Sequence, residues 1–143
     1  MPTILPVSIN SRSEAIELLQ KANLPFEDIN DHVLLYALME NEKIIGTIGL
    51  EHDGGSALLR SLSVDTTERA KGYGENLVRF IEKEAQTKGI ENIYLLTTTA
   101  SNFFAKRGYS AISRSEVPAS IQQTTEFRTV CPASAIVMKK QIG

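Results

Sequence analysis

The stretch Ser63-Val64-Asp65-Thr66-Thr67-Glu68-Arg69-Ala70-Lys71-Gly72-Tyr73-Gly74 decides the fold, together with the helix it opens, which runs to about Lys88. Ahead of it, Ala57 to Val64 is an apolar run that reads as a buried strand, cut off by the turn-prone Asp65-Thr66-Thr67. Behind it, Gly74, Leu77, Val78, Ile81 and Ala85 form an apolar stripe at i, i+3, i+4, i+7 spacing, and Gly89 stands where a helix C-terminus takes a left-handed residue. Strand, glycine loop and helix N-terminus together make an anion cradle. The glycines let the backbone come close, unpaired N–H groups point outward, and the helix dipole adds positive potential. Arg69 and Lys71 reinforce that sign. Two readings of a bare glycine pair stay open here: a tight strand-to-helix turn with no ligand, which is the commoner case, or a phosphate site.

The usual nucleotide motifs do not fit. The dinucleotide fingerprint needs a third glycine where Leu77 stands, and a P-loop needs Gly-Lys-Ser/Thr, which is absent. What remains is Arg69-x-x-Gly72-x-Gly74 after a strand ending Leu62-Ser63-Val64. That resembles the pyrophosphate loop of the Gcn5-related N-acetyltransferase (GNAT) superfamily, whose members grip acetyl-coenzyme A there.

Length and composition bound the rest. The 143 residues read as one domain, 1–143, large enough to bury roughly two-thirds of its unfolded surface. Apolar residues at 42% and charged residues at 22% fit a globular protein rather than a disordered chain. A net charge of −2 with no basic block argues against nucleic acid as a partner. Apolar runs of about five residues are far too short for a membrane span. Met1-Pro2-Thr3 lacks the charged start and apolar run of a signal peptide, so none is expected, and a lone Cys131 cannot form an internal disulfide; a cytoplasmic location is expected.

Leu5 to Ile9, with Ile4 as a possible extension, reads as a first strand. Asn10 or Ser11 caps a helix whose apolar face is Ala15, Ile16, Leu18, Leu19 and Ala22, and Asn23-Leu24-Pro25 ends it. Phe26 to Asp31 is a polar connector. Val33 to Glu40 and Lys43 to His52 are strands joined by Glu40-Asn41-Glu42, and Asp53-Gly54-Gly55 is the hairpin signal leading into Ala57–Val64. A further strand, Ile93 to Thr97, follows the glycine-loop helix, so the crossover from Val64 to Ile93 is a βαβ unit. Ala100 to Arg107 is a short helix closed by Gly108, and Tyr109 to Ser113 a strand. Pro118 opens a helix carrying Ile121 and Phe127, and Ser134 to Lys139 is the last strand. The expected fold class is α/β in the broad sense: a mixed, mostly antiparallel sheet with helices on both faces.

A second match is Tyr94-Leu95-Leu96-Thr97-Thr98-Thr99-Ala100 followed by Phe103-Phe104-Ala105-Lys106-Arg107-Gly108-Tyr109. It looks like the strand and short helix that follow the coenzyme A helix in the superfamily. The Leu-Thr-Thr wording with its paired aromatics is similar to the acetyltransferase domain of N-acetylglutamate synthases, and closer to small N-acetyltransferases associated with arsenic resistance. Those also resemble this chain at Gly49-Leu50-Glu51, Leu58-Leu59-Arg60-Ser61-Leu62, Val117-Pro118, Glu126-Phe127, Cys131-Pro132 and Ser134-Ala135. Two positions depart from the superfamily pattern. Leu58 stands where many members carry a glutamate base, and Phe104 where many carry a tyrosine acid. Neither side chain moves a proton.

The resemblance implies acetyl-coenzyme A as co-substrate, lying between splayed strands over residues 57–64 and 93–97. Backbone groups of Leu62, Ser63 and Val64 would bind the pantetheine arm, and the Leu62 N–H would polarise the thioester carbonyl. Arg69, Ala70, Lys71, Gly72, Tyr73, Gly74 and Glu75 would cradle the diphosphate, with Asn102 either a helix cap or a cofactor contact. Arg60, two residues from Leu62 and so expected on the same face, suits a carboxylate or an arsenic or phosphorus oxyanion; it is alternatively a structural partner of Glu51. Glu51 is that partner or the proton acceptor. Thr97, Arg128 and Ser134 are the remaining acceptor-binding candidates, and Cys131 reads as an inert thiol. No metal site is expected. The leading function is an N-acetyltransferase acting on the amine of a small amino acid or amino-acid-like acceptor. The alternatives are a non-catalytic acetyl-coenzyme A sensor or partner module, and a protein lysine acetyltransferase. The superfamily resemblance also allows a homodimer.

Overall fold

A computed structural model describes residues 2–7, 12–22, 33–65, 72–122, 124 and 135–143. Its elements are β1 (Thr3–Pro6), α1 (Arg12–Lys21), β2 (Leu34–Glu40), β3 (Lys43–Asp53), β4 (Ser56–Val64), α2 (Tyr73–Thr87), β5 (Asn92–Thr97), α3 (Ser101–Ala105), β6 (Ser110–Ile112), α4 (Ala119–Gln122) and β7 (Ile136–Gln141), with one 3-10 turn at Arg114–Glu116. The strands form a seven-stranded sheet in the order β1-β2-β3-β4-β5-β7-β6. It is mixed and mostly antiparallel, as the sequence pattern implies: β4 and β5 run parallel, and β1–β2, β2–β3, β5–β7 and β6–β7 antiparallel. Among the described residues no helix is long and apolar enough to cross a membrane.

The chain divides into two compact units, residues 1–50 with 60–83, and residues 51–59 with 84–143. In the first, side-chain alternation along β2 sends residues to two faces. Leu35 and Ala37 pack with Ile44 against Ala15 and Leu19 of α1. Between them, Tyr36 points the other way and meets Phe80 of α2 edge to face, ring centroids 5.0 Å apart. One helix therefore covers each face of this part of the sheet. The α2 stripe expected from the sequence is the buried one: Leu77, Val78 and Ile81 are all but fully enclosed.

The second unit is built on β5 and β7, registered from Asn92↔Gln141 to Thr97↔Ile136, with Ser56–Leu58 of β4 on the other side of β5. Leu58, Tyr94, Val117, Ile121 and Val137 form its apolar cluster, with Leu96 and Ile112 packed against it. Here α2 ends as Gly89 predicts. Gly89 takes φ 78, its N–H donates to the Gln86 carbonyl, and Ile90 N–H reaches the Ala85 carbonyl at 3.0 Å, the two bonds of a Schellman cap.

Several boundaries differ from the sequence reading. The first strand is Thr3–Pro6 rather than Leu5–Ile9, because its register against β2 starts at Thr3↔Met39; residues 8 and 9 lie outside the described residues. The last strand runs Ile136–Gln141 rather than Ser134–Lys139, extended at its end by pairing with all of β5. The helix expected over Ala100–Arg107 is Ser101–Ala105, after which Arg107 N–H bonds back to Phe104 O in a tightened turn. The β6 strand is three residues, not five. Pro118 precedes a helix of only Ala119–Gln122, whose Ile121 is buried as expected; Phe127 is outside the described residues. So too are the expected α1 caps Asn10 and Ser11 and the connector Phe26–Asp31.

Candidate functional site

The site expected from the sequence centres on the last five residues of β4 and the start of α2, all within the first unit. Three features shape it. Gly72 immediately precedes α2 with φ 80, and a Cβ there would meet nothing within 4 Å, so the turn is open and needs a residue free of the L-side-chain penalty. The first intrahelical bond runs from Asn76 N–H to Gly72 O, at 3.1 Å. The amides at the front of a 15-residue helix therefore have no carbonyl within the helix to pair with. Arg69, Ala70 and Lys71 lie outside the described residues; Tyr73, Gly74 and Glu75 form the first turn of α2, where Glu75 pairs with Arg79 at 3.2 Å on the solvent side.

The second feature is the backbone of Ser61 within β4, which takes φ 60, in the left-handed region. Asp65 N–H donates to Ile45 O at 2.7 Å and ties the end of β4 to β3. A left-handed residue between Arg60 and Leu62 interrupts the regular alternation on which a shared face for the two rests. Arg60 is 3% exposed, and its Nε–H donates to Ser61 Oγ at 3.3 Å. Leu62 and Val64 remain half-buried.

The third feature is Ser63. It is 6% exposed, and its Oγ has no hydrogen-bond partner among the described residues. The neighbouring buried hydroxyls do better: Thr47 Oγ1 donates to Ser61 O at 2.8 Å, and Ser61 Oγ accepts from Arg60. A hydroxyl orphaned beside two satisfied ones is a group that a ligand or a fixed water completes. Open amides at a helix N-terminus, a glycine turn and an orphaned hydroxyl on the strand before it fit a phosphate-bearing ligand with a polar arm.

In the second unit, Thr97 Oγ1 accepts the Ala100 N–H at 2.9 Å, so that hydroxyl already shapes the turn into α3. Asn102 is exposed and is not the cap, since Ala100 holds the N-cap position without a side-chain bond. Glu51 is half-buried on β3. Leu58 is fully enclosed in the apolar cluster, and Phe104 packs edge to face on Phe103 and Tyr109. Arg107 lies over the Phe103 ring at 3.7 Å. Arg128, Cys131 and Ser134 lie outside the described residues. Sequence reasoning missed Thr47, a fully buried hydroxyl, because its partner is a carbonyl fourteen residues away that no local pattern announces.

This architecture has known counterparts. A family model described as "Acetyltransferase (GNAT) family" matches residues 7–111, and the chain belongs to that family. Within it, the chain is 34% identical over 83 residues to an amino-acid acetyltransferase of Neisseria meningitidis, a match covering 48% of this chain and 19% of that protein. The chain spans between 16% and 24% of the length of the curated relatives it matches. Among solved structures, the N-acetylglutamate synthase from Neisseria gonorrhoeae complexed with coenzyme A and N-acetyl-glutamate shares the fold with TM-score 0.85 at 17% identity, covering 100% of this chain and 35% of that one. A GNAT-family acetyltransferase from Staphylococcus aureus Mu50 has TM-score 0.79 at 20% identity, covering 100% of both chains.

Proposed function

We propose that this protein transfers an acetyl group from acetyl-coenzyme A to the amine of a small amino acid or amino-acid-like acceptor. The observation that carries the proposal is the turn at Gly72, φ 80, opening a 15-residue helix directly after a buried strand. Family membership and the amino-acid acetyltransferases among its relatives support the same reading.

In this reading residues 69–75 hold the diphosphate through backbone amides and the cations Arg69 and Lys71. Backbone groups of Leu62, Ser63 and Val64 hold the pantetheine arm, and Asn102 is a further cofactor contact. The Leu62 N–H faces the thioester carbonyl and stabilises the negative charge that develops on its oxygen. Binding both reactants supplies proximity, worth several kcal/mol of the barrier on the order-of-magnitude scale for oriented reactants. The acceptor amine must lose a proton before it attacks. Glu51 is the side chain proposed to take it, while Arg60, Thr97, Arg128 and Ser134 are proposed to hold the acceptor.

The acceptor class follows from that proton. At pH 7, deprotonating a peptide α-amine of pKa about 8 costs about 1.4 kcal/mol and a lysine amine at about 10.4 costs about 4.6. A free amino acid lies between, because its own carboxylate holds the proton, and an arginine on that carboxylate lowers its amine pKa. With Leu58 and Phe104 sealed in apolar surroundings, the α-amine is the better substrate. An acidic side chain on the acceptor, a carboxylate or a phosphorus or arsenic oxyacid, is the finer form of the proposal. The enclosure of Leu58 and Phe104 also favours one second reading, a non-catalytic acetyl-coenzyme A binder.

The test is thiol release from acetyl-coenzyme A across free amino acids, acid-bearing analogues and lysine peptides. Turnover with glutamate-like α-amines is expected. Tight coenzyme A binding with no turnover on any amine would replace the enzyme with the binder.

A further inference from the structure

Ser61 is the strained point of β4, a serine held at φ 60, where L side chains seldom sit. Such a conformation persists only where neighbours over-determine it, and it concentrates where geometry matters to function. Two bonds hold Ser61. Its hydroxyl accepts from Arg60 Nε at 3.3 Å, and its carbonyl oxygen accepts from Thr47 Oγ1 on the adjacent strand at 2.8 Å. Thr47 is fully enclosed and Ser61 is 5% exposed, so no solvent competes for that carbonyl.

Thr47 stands among Ile44, Ile45, Ile48 and Leu50, where a valine would have the same shape. A buried hydroxyl in such a strand is costly unless it is paired, and its pair here is the carbonyl of the residue with the left-handed backbone. The flanking residues make room for the arrangement. A Cβ on Gly46 would lie 3.0 Å from Ser63 O and 3.2 Å from Leu77 Cδ1, so β3 lies this close to β4 and α2 only with glycine there.

The Ser61 carbonyl and the Leu62 N–H belong to one peptide unit. That unit is planar and trans, with no cis bond among the described residues, so its C=O and N–H point in opposite directions. Whatever fixes the oxygen fixes the N–H. We infer that Thr47 is a positioning residue: by gripping the Ser61 carbonyl it aims the Leu62 N–H. This rests on the functional reading above, in which that N–H meets the thioester carbonyl, and it adds a residue on β3 that does the aiming.

The experiment compares wild type with Thr47→Val, Thr47→Ser, Ser61→Gly and the double variant Thr47→Val/Ser61→Gly. It reads melting temperature, coenzyme A affinity by calorimetry, kcat and KM, and the amide resonance of Leu62. Thr47→Val is expected to lower kcat by about tenfold to a hundredfold, less than the roughly hundredfold to thousandfold that complete loss of an oriented donor costs, since the donor is misaimed rather than removed. Coenzyme A affinity should stay within about twofold, because the diphosphate grip is untouched. Thr47→Ser should restore kcat. The double variant separates positioning from stability: glycine accepts φ 60 without the clamp, so melting temperature recovers while kcat stays low. Recovery of kcat along with stability in the double variant, or an unchanged kcat in Thr47→Val, would overturn the inference. If wild type shows no turnover, the functional reading falls. The Leu62 amide then still decides the structural claim: a resonance and exchange rate identical in wild type and Thr47→Val would sink it.

Discussion

Ser63 and Arg60 show how differently two buried polar residues on one strand behave. The Ser63 hydroxyl is desolvated without a partner among the described residues, a loss of about 1–3 kcal/mol for a group of this kind. Ser63→Ala should therefore leave the ligand-free protein as stable or more stable, read as a higher melting temperature. A fall would mean the hydroxyl has a partner when no ligand is bound. Arg60 is 3% exposed and its Nε–H donates to the Ser61 hydroxyl, which gives it a structural bond as well as making it a candidate for the acceptor's acid group. Arg60→Ala discriminates. If it binds the acceptor, KM for acid-bearing amines rises about tenfold or more, as loss of a charged hydrogen bond implies, and coenzyme A affinity holds. A parallel loss of coenzyme A affinity would make it structural. Gly72 was legible as a residue because only glycine takes φ 80 freely. Ser61 was not, since a serine gives no sign that its backbone is left-handed.

At the scale of elements, the turn between β2 and β3 places Asn41 at φ 52 and Glu42 at φ 65, the primed geometry that suits the twist of a hairpin. Asparagine tolerates this and glutamate does not. Glu42→Gly is expected to raise stability by about 0.5–1 kcal/mol in urea denaturation, and a decrease would show that the Glu42 side chain has a role of its own. Just beyond, the register slips between Leu38 and Met39, and Ile44 N–H finds the Glu14 carboxylate of α1 at 3.0 Å. The amphipathic stripe of α2 and its glycine cap were visible in sequence because both follow from local period and backbone freedom. Strand ends were less so. They are set by how far a partner strand extends, as β7 follows β5 to Gln141.

For the molecule as a whole, the proposal makes the protein a ligand-stabilised one. Coenzyme A at about a hundred times its dissociation constant should add about 2.7 kcal/mol, a rise of several degrees in melting temperature. Adenosine 3′,5′-bisphosphate, which lacks the pantetheine arm and the diphosphate, should give a smaller rise. No shift with either would remove the cofactor from the account.

The sequence by itself determined the elements, the family and the glycine turn proposed to hold the cofactor, because hydrophobic period, capping glycines and a short basic-glycine motif are properties of neighbouring residues. Only the tertiary structure decided that Ser61 sits at φ 60 within β4, that Thr47 holds its carbonyl, and that Arg60 is buried with its Nε–H on the Ser61 hydroxyl. Those depend on a hydrogen bond between residues fourteen apart in the chain and on a backbone angle that no side chain spells out.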